Sequence, residues 1–308
     1  MSDNSQKKLQ LNNGLSIPIM GLGTGQYEDT SKIVYESIKS GVRLIDTASI
    51  YKNEVEVGKG IKQAIDEGII KREELFVITK CWLEEKDDPE KALKASLERL
   101  NLTYVDLYLD HWPTGKCYNG EKNLKFVSFV EFWTKMEKLV EGGLTKSIGV
   151  SNYNAQNIFN ILSFCKIKPV VNEIEFNPYF YQKDLKELCD KEGIKIVAYN
   201  PLVKGKYCKK SENMIIEKKL DLFKEEMIID LAKKYGKTEG QIILNWHIHT
   251  GVVPIPSTSN PKRMEENLGA AEFNMEEEDY QKICSFKENG KQFRFAKSFG
   301  IYGIDIFA

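Results

Sequence analysis

Histidine is the scarce residue of this chain. There are three in 308 residues, His111 by itself and His247 with His249 far downstream, too few and too dispersed for a histidine-based metal cluster. The six cysteines (Cys81, Cys117, Cys165, Cys189, Cys208 and Cys284) include no CxxC pair and no Cys/His ligand spacing. That excludes a zinc signature and argues against a disulfide framework, so a reducing, cytoplasmic setting is expected. Cys81, although it follows Lys80, reads as a filler of the core. No apolar run approaches the length of a membrane span, and the polar first twenty residues lack the apolar stretch of a signal peptide, so neither is expected. Charge of one sign is missing too: 44 Lys and Arg stand against 45 Asp and Glu, a net charge of −1. Basic residues are not gathered with aromatics, so neither nucleic acid nor an anionic membrane surface is an expected partner. No GxGxxG lies between a strand and a helix, and no Pro/Gly/Ser linker or shift of composition divides the chain. Residues 1–308 therefore read as one domain with an ordinary globular core.

What is present is a rhythm. Lys8–Leu11 and Leu15–Pro18 flank the turn tripeptide Asn12-Asn13-Gly14, which predicts an opening β-hairpin. Eight short apolar runs follow, near residues 19–23, 43–47, 75–80, 107–111, 147–150, 170–175, 194–199 and 251–255. Amphipathic stretches alternate with them, near 30–40, 54–67, 89–100, 127–142, 154–165, 180–193, 225–236 and 260–268. Asp88-Pro89 and Asn260-Pro261 each place a capping residue before a proline suited to the first helical position. Eight strand–helix repeats predict an α/β fold, a closed (β/α)8 TIM barrel, with an open doubly wound sheet as the alternative. An extra helix is expected over 275–286, then an apolar tail, Phe293 to Ala308, folding over the barrel. The lysine-rich segment from Val203 to Lys224 is long for a strand–helix connection, as functional covers are.

Polar residues at the carboxyl ends of barrel strands point to one shared place. Asp46 closes the second strand, Tyr51 follows five positions later, Lys80 ends the third and His111 ends the fourth, just before Trp112-Pro113. A lysine ending Phe76-Val77-Ile78-Thr79 needs a partner, because a buried unpaired ammonium is costly. Tyrosine ordinarily titrates near pH 10. A neighbouring ammonium lowers that value, a carboxylate holds the ammonium, and a histidine can orient a carbonyl oxygen. The set suits carbonyl reduction, with hydride delivered to carbon and a proton to oxygen. A solvent-emerging lysine and a strand-end histidine satisfied by its neighbours are the plainer readings of those two residues in isolation.

The segments Gly21-Leu22-Gly23-Thr24, Leu44-Ile45-Asp46-Thr47-Ala48 to Tyr51, Ile78-Thr79-Lys80, His111-Trp112-Pro113, Ile148-Gly149-Val150-Ser151-Asn152 and Ile255-Pro256 resemble the aldo-keto reductases. They occur in the family's order across nearly the whole chain. The resemblance implies a (β/α)8 barrel, acting as monomer or dimer, that binds NADP(H) across its carboxyl-terminal face. It implies reduction of aldehydes or ketones, sugar aldoses among them. Tyr51 would then give the proton, Lys80 and Asp46 would tune it, and His111 would orient a small carbonyl substrate. Gly23, Thr24 and Asp46 would approach the nicotinamide, Ser151, Asn152 and Glu173 would face its carboxamide, and Tyr199 would stack on its ring. Asn200, Leu202 and Lys204 would continue the cofactor track toward Ser257, Thr258, Ser259, Arg263 and Asn267. Trp82, Trp112 and Phe299, with Phe126 and Tyr302, would line the substrate pocket.

The phosphate end also has a physical reading. Ser257-Thr258-Ser259-Asn260 precede a helix start at Pro261 with Lys262 and Arg263 in its first turn, a good anion site. The family's Ile-Pro-Lys-Ser pattern is Ile255-Pro256-Ser257-Thr258 here, so its phosphate-pairing lysine is missing. NADP(H) stays the expected cofactor with weaker discrimination against NAD(H), and Lys204 or Lys206 are the candidates to restore the charge. Glu173 stands where glutamine is usual, and cannot donate when ionised. Asp110 stands where an apolar residue is expected, on the helix-facing side of its strand. Gly25 replaces a frequent tryptophan, which predicts a wider pocket. A binding barrel serving as a regulatory or structural subunit with little turnover is the alternative from another class.

Overall fold

A computed structural model describes residues 7–25, 29–114, 127–203, 220–286 and 294. Lys8–Gln10 (β1) and Ser16–Pro18 (β2) form the expected antiparallel hairpin, with Leu9 opposite Ile17. Gly14 at its turn has φ of 84°, a conformation glycine takes without a Cβ clash. Leu11 and Ile17 pack with Leu44, Phe76 and Leu107, which begin three barrel strands. The hairpin thus plugs the amino-terminal end of the barrel and leaves the other end open. Asn12 and Asn13 fasten it there, donating to the Pro169 carbonyl and the Ser147 hydroxyl.

The eight barrel strands are Leu22–Gly23 (β3), Leu44–Asp46 (β4), Phe76–Cys81 (β5), Leu107–Asp110 (β6), Ile148–Ser151 (β7), Val171–Glu175 (β8), Lys195–Tyr199 (β9) and Val253–Pro254 (β10). They pair in parallel and in chain order. Gly21 N–H donates to the Pro254 carbonyl at 3.1 Å and Gly23 N–H to that of Pro256 at 3.4 Å, which ties the last strand to the first and closes the ring. Strand alternation then sorts the side chains. Leu44, Ile78, Leu109, Val171 and Val197 fill the barrel interior, while Ile45, Val77, Tyr108, Val150, Ile174 and Ile196 pack under the helices. The same alternation carries Asp46, Lys80, His111, Glu173 and Tyr199 to the interior side at the carboxyl-terminal mouth. Gly149 makes the interior possible between β6 and β8. A Cβ there would lie 2.7 Å from the Leu109 side chain and 2.8 Å from the Val171 carbonyl oxygen.

The helical layer is Thr30–Lys39 (α1), Glu54–Asp66 (α2), Pro89–Leu100 (α3), Phe129–Glu141 (α4), Ala155–Leu162 (α5), Lys183–Lys191 (α6), Glu226–Tyr235 (α7), Glu239–His249 (α8), Pro261–Leu268 (α9) and Glu277–Cys284 (α10). Asp29, Asp88, Ser128, Asn154, Thr238 and Asn260 cap their helices by accepting from backbone N–H groups of the first turn. One expectation needs correction. The seventh connection was expected to hold a single helix over 225–236, but α8 follows α7 before β10. Ile242, Ile243, Leu244, Asn245, Trp246 and His247 are all buried, so α8 has no polar stripe and no amphipathic period to detect. Its capping box, Thr238 with Gln241, was the one visible signal. The extra helix appears as α10. Lys204, Lys206, Phe126, Phe299 and Tyr302, and the tail apart from Arg294, lie outside the described residues. Among the described residues no helix is long and apolar enough to cross a membrane.

Candidate active site

Three strands deliver the central charges. Lys80, Asp46 and Glu173 are 0%, 2% and 2% exposed and lie on β5, β4 and β8. The Lys80 ammonium is 2.6 Å from an Asp46 carboxylate oxygen and 3.2 Å from Glu173 Oε1. It also donates to the Thr47 carbonyl at 3.0 Å and reaches the Tyr51 hydroxyl at 3.5 Å. Burial alone would depress that ammonium, but Asp46, Glu173 and Tyr51 outweigh it and raise it. Lys80 is therefore a permanent cation, and the solvent-emerging reading fails.

Tyr51 ends a short 3-10 turn, Ser49–Tyr51, that Lys52 terminates in the left-handed region at φ 57°. A lattice of side chains positions this turn. Asn53 donates to the Thr24 carbonyl at 2.7 Å and accepts from Thr47 Oγ1 at 3.1 Å. Ser49 donates to Glu85 at 2.7 Å. Sequence reasoning named none of these three positioning residues, Asn53, Ser49 and Glu85, because their partners lie on other loops. The phenol's acidity also departs from expectation. Lys80 does pull it down, but burial, with Asp46 and Glu173, raises it overall. The physical reason is desolvation, which penalises phenolate more than one shared ammonium favours it. Tyr51 consequently holds its proton.

His111 is 8% exposed, and its Nδ1 finds no hydrogen-bond partner among the described residues. Its ring stands edge-on to Tyr51 at 5.9 Å between centroids and to Trp82 at 5.0 Å. Burial, then Lys80 and Lys86, hold its pKa well below the usual histidine range, so the imidazole is neutral. Trp112 is buried beside it and Trp82 half-buried. A Cβ on Gly25 would meet the Tyr51 ring at 3.6 Å, ordinary contact, so the glycine leaves the mouth open on that side.

Asp110 is buried behind His111 and is paired. Lys86 lies 2.6 Å from its Oδ1, and the Tyr153 hydroxyl donates to its Oδ2 at 2.8 Å. Lys86 also donates to the Trp112 carbonyl. This unforeseen network grips the backbone on both sides of His111. Cys81 is fully buried and burial pushes its thiol up, which leaves it inert, as a filler should be.

The remaining anticipated residues form a continuous track. Thr24 donates through its hydroxyl to the Asp46 carbonyl at 2.8 Å. Ser151 donates to the Glu173 carbonyl at 2.8 Å. Asn152, in the left-handed region at φ 63°, donates to the His111 carbonyl at 2.9 Å and accepts from the Tyr199 hydroxyl at 2.7 Å. A Cβ on Gly23 would lie 3.0 Å from the Ile255 carbonyl, and Ser257 donates to the Gly23 carbonyl at 2.9 Å. Beyond Ser257 opens a cleft of about 230 Å³ lined by Asn200, Leu202, Ser257, Thr258, Arg263 and Asn267. Phe223, Gly240 and Glu266 also line it and were not anticipated. Ser259 is exposed beside the cleft and outside its lining. Asn260 accepts from Lys262 N–H and donates its own N–H to Thr258, so the helix start faces the cleft with a formed cap. Among the described residues no group of His, Cys, Asp and Glu could hold a metal ion.

Compared with known proteins, residues 19–288 match the Aldo/keto reductase family. Aldose reductase B of Dictyostelium discoideum is 39% identical over 307 residues, 92% of this chain and 94% of the relative. The NADH-dependent D-xylose reductase of Candida parapsilosis is 36% identical over 321 residues, 97% of each chain. Among solved structures, a Bombyx mori aldo-keto reductase in complex with NADP has a TM-score of 0.86 at 36% identity, covering 96% of this chain and 97% of that one.

Proposed function

The chain belongs to the aldo/keto reductase family, and from that premise we propose that it reduces aldehydes or ketones, sugar aldoses among them, to alcohols with NADPH, Tyr51 giving the proton. The observation that carries this reading is the Tyr51 hydroxyl held 3.5 Å from a buried ammonium that is itself locked to Asp46. A barrel used only for binding has no need of that arrangement.

The residues present fit a nicotinamide dinucleotide. Gly23, Thr24, Ser151, Asn152, Glu173 and Tyr199 surround the mouth, and Asn200, Leu202, Ser257, Thr258, Arg263 and Asn267 line the cleft for the other end. Bound there, the cofactor supplies the hydride. The protein's part is to place the carbonyl and protonate its oxygen. His111, a neutral imidazole at the mouth, orients that oxygen by donating a hydrogen bond. Tyr51 transfers its hydroxyl proton to the oxygen as negative charge develops, and Lys80 stabilises the phenolate left behind. Trp82 and Trp112 exclude water from one side, and Gly25 leaves room for a chain of carbon atoms on the other. With serine at position 257 the phosphate contact falls to Arg263, the helix start and the neighbouring hydroxyls, so discrimination against NAD(H) is weak. The relatives' own names include both NADH-dependent and NAD(P)H-dependent reductases.

NADPH oxidation against a panel of aldehydes, ketones and aldoses tests the reading. Turnover is expected with wild type and should fall by roughly 10²- to 10⁴-fold in Tyr51→Phe. Undiminished turnover in Tyr51→Phe overturns the mechanism, and tight NADPH binding without turnover of any panel member favours the binding-barrel alternative.

A further inference from the structure

Glu173 adds a second carboxyl group to a site that needs only one to hold its lysine. Asp46 already contacts the Lys80 ammonium at 2.6 Å, and Glu173 Oε1 shares the same ammonium at 3.2 Å. Glu173 Oε2 is buried with no donor to it among the described residues. Asp46 and Glu173 thus set two buried carboxyl groups against one buried ammonium. With both ionised, the cluster carries a net charge of −1 in the barrel interior. With one proton it is neutral, and burial favours that form.

The groups facing Glu173 are Asp46 from β4, Lys80 from β5 and the phenols of Tyr51 and Tyr199. Lys80 is a permanent cation and both phenols stay protonated. The titratable proton of the cluster therefore belongs to the Asp46–Glu173 pair. Burial and the Asp46 charge raise Glu173 well above the usual carboxylate range, so it is the member that carries it. The Glu173 backbone carbonyl also receives Ser151 Oγ and the Asn152 N–H, which fixes the backbone that carries the carboxyl.

We propose that Glu173 couples a proton to the oxidation state of the cofactor: the Asp46–Lys80–Glu173 cluster keeps its carboxyl proton beside the neutral, reduced nicotinamide and releases it to solvent when the ring is the oxidised cation. The proposal rests on the reading that the nicotinamide lies at this mouth. Only the Glu173 O–H bond breaks, no electron moves, and the charge gained by the cluster balances that of the ring. A cation within about 4–6 Å of a carboxyl lowers its pKa by about one to three, so oxidised cofactor gains affinity over reduced cofactor as pH rises.

Calorimetric titration of NADP+ and of NADPH in buffers of different ionisation enthalpy, between about pH 5 and about pH 9, counts the protons released. The two cofactors share the 2′-phosphate, so its own protonation cancels in the difference. Wild type should release up to about one more proton with NADP+ than with NADPH in some part of this range. Glu173→Gln, of the same shape without the proton, should abolish the difference, and Glu173→Asp should retain one. Equal release with both cofactors in wild type, or a difference that survives in Glu173→Gln, overturns the proposal while leaving the reductase reading intact. Failure of wild type to bind either cofactor overturns both.

Discussion

At Tyr51 burial and the Lys80 ammonium act in opposite directions on one hydroxyl, and burial wins. The ammonium therefore matters less to the resting phenol than to the phenolate formed when the proton leaves. Replacing it by Lys80→Met should lower kcat by about 10²-fold or more, which steady-state kinetics checks. Behind His111, Asp110 and Lys86 form a buried ion pair whose halves depend on each other. Asp110→Leu strands the ammonium and should cost about 3–5 kcal/mol in urea unfolding, whereas Asp110→Leu with Lys86→Met should recover most of that loss. Asp46, Tyr51, Lys80 and His111 were legible as a group because each ends a strand or follows one at a readable spacing. Asp110 was legible only as an anomaly. Its partner sits in the segment after β5, and nothing in a linear sequence brings Lys86 and Tyr153 to the same carboxylate.

Among the elements, α8 shows where pattern reading stops. An amphipathic helix announces itself by a polar stripe, and α8 has none because α7, α9 and β10 cover it. Its start is held by Thr238, which accepts from the Gln241 N–H and donates to Glu266 at 2.7 Å, joining α8 to α9 beside the cleft. Thr238→Ala should cost about 1 kcal/mol in denaturant unfolding. It should also weaken cofactor binding modestly, since Glu266 lines the cleft. The strands were legible in number and order, their ends less so. β3 and β10 are two residues each, shortened where the first and last strands of the ring meet.

For the molecule as a whole, stability should follow pH through His247. Its two ring nitrogens face the Ile243 and Phe176 carbonyls at 2.8 and 3.0 Å, and burial lowers its pKa to about 4. The folded state therefore binds fewer protons than the unfolded chain, in which histidine titrates near pH 6.5. The resulting stability is complete above about pH 6.5 and is lost as pH falls toward about 4, a share on the order of 3 kcal/mol. Urea midpoints for wild type and His247→Gln across that range should converge on the acid side; parallel curves would remove His247 as the cause. The sequence by itself determined the alternation of strands and helices, the opening hairpin and the strand-end group of Asp46, Tyr51, Lys80 and His111, because periodicity and spacing are local properties. Only the tertiary structure decided that Lys80 is shared with Glu173, that Asp110 is paired with Lys86 and Tyr153, and that burial holds the proton on Tyr51. Those outcomes depend on distances across the barrel and on exclusion of water, which exist only once the ring of strands has closed.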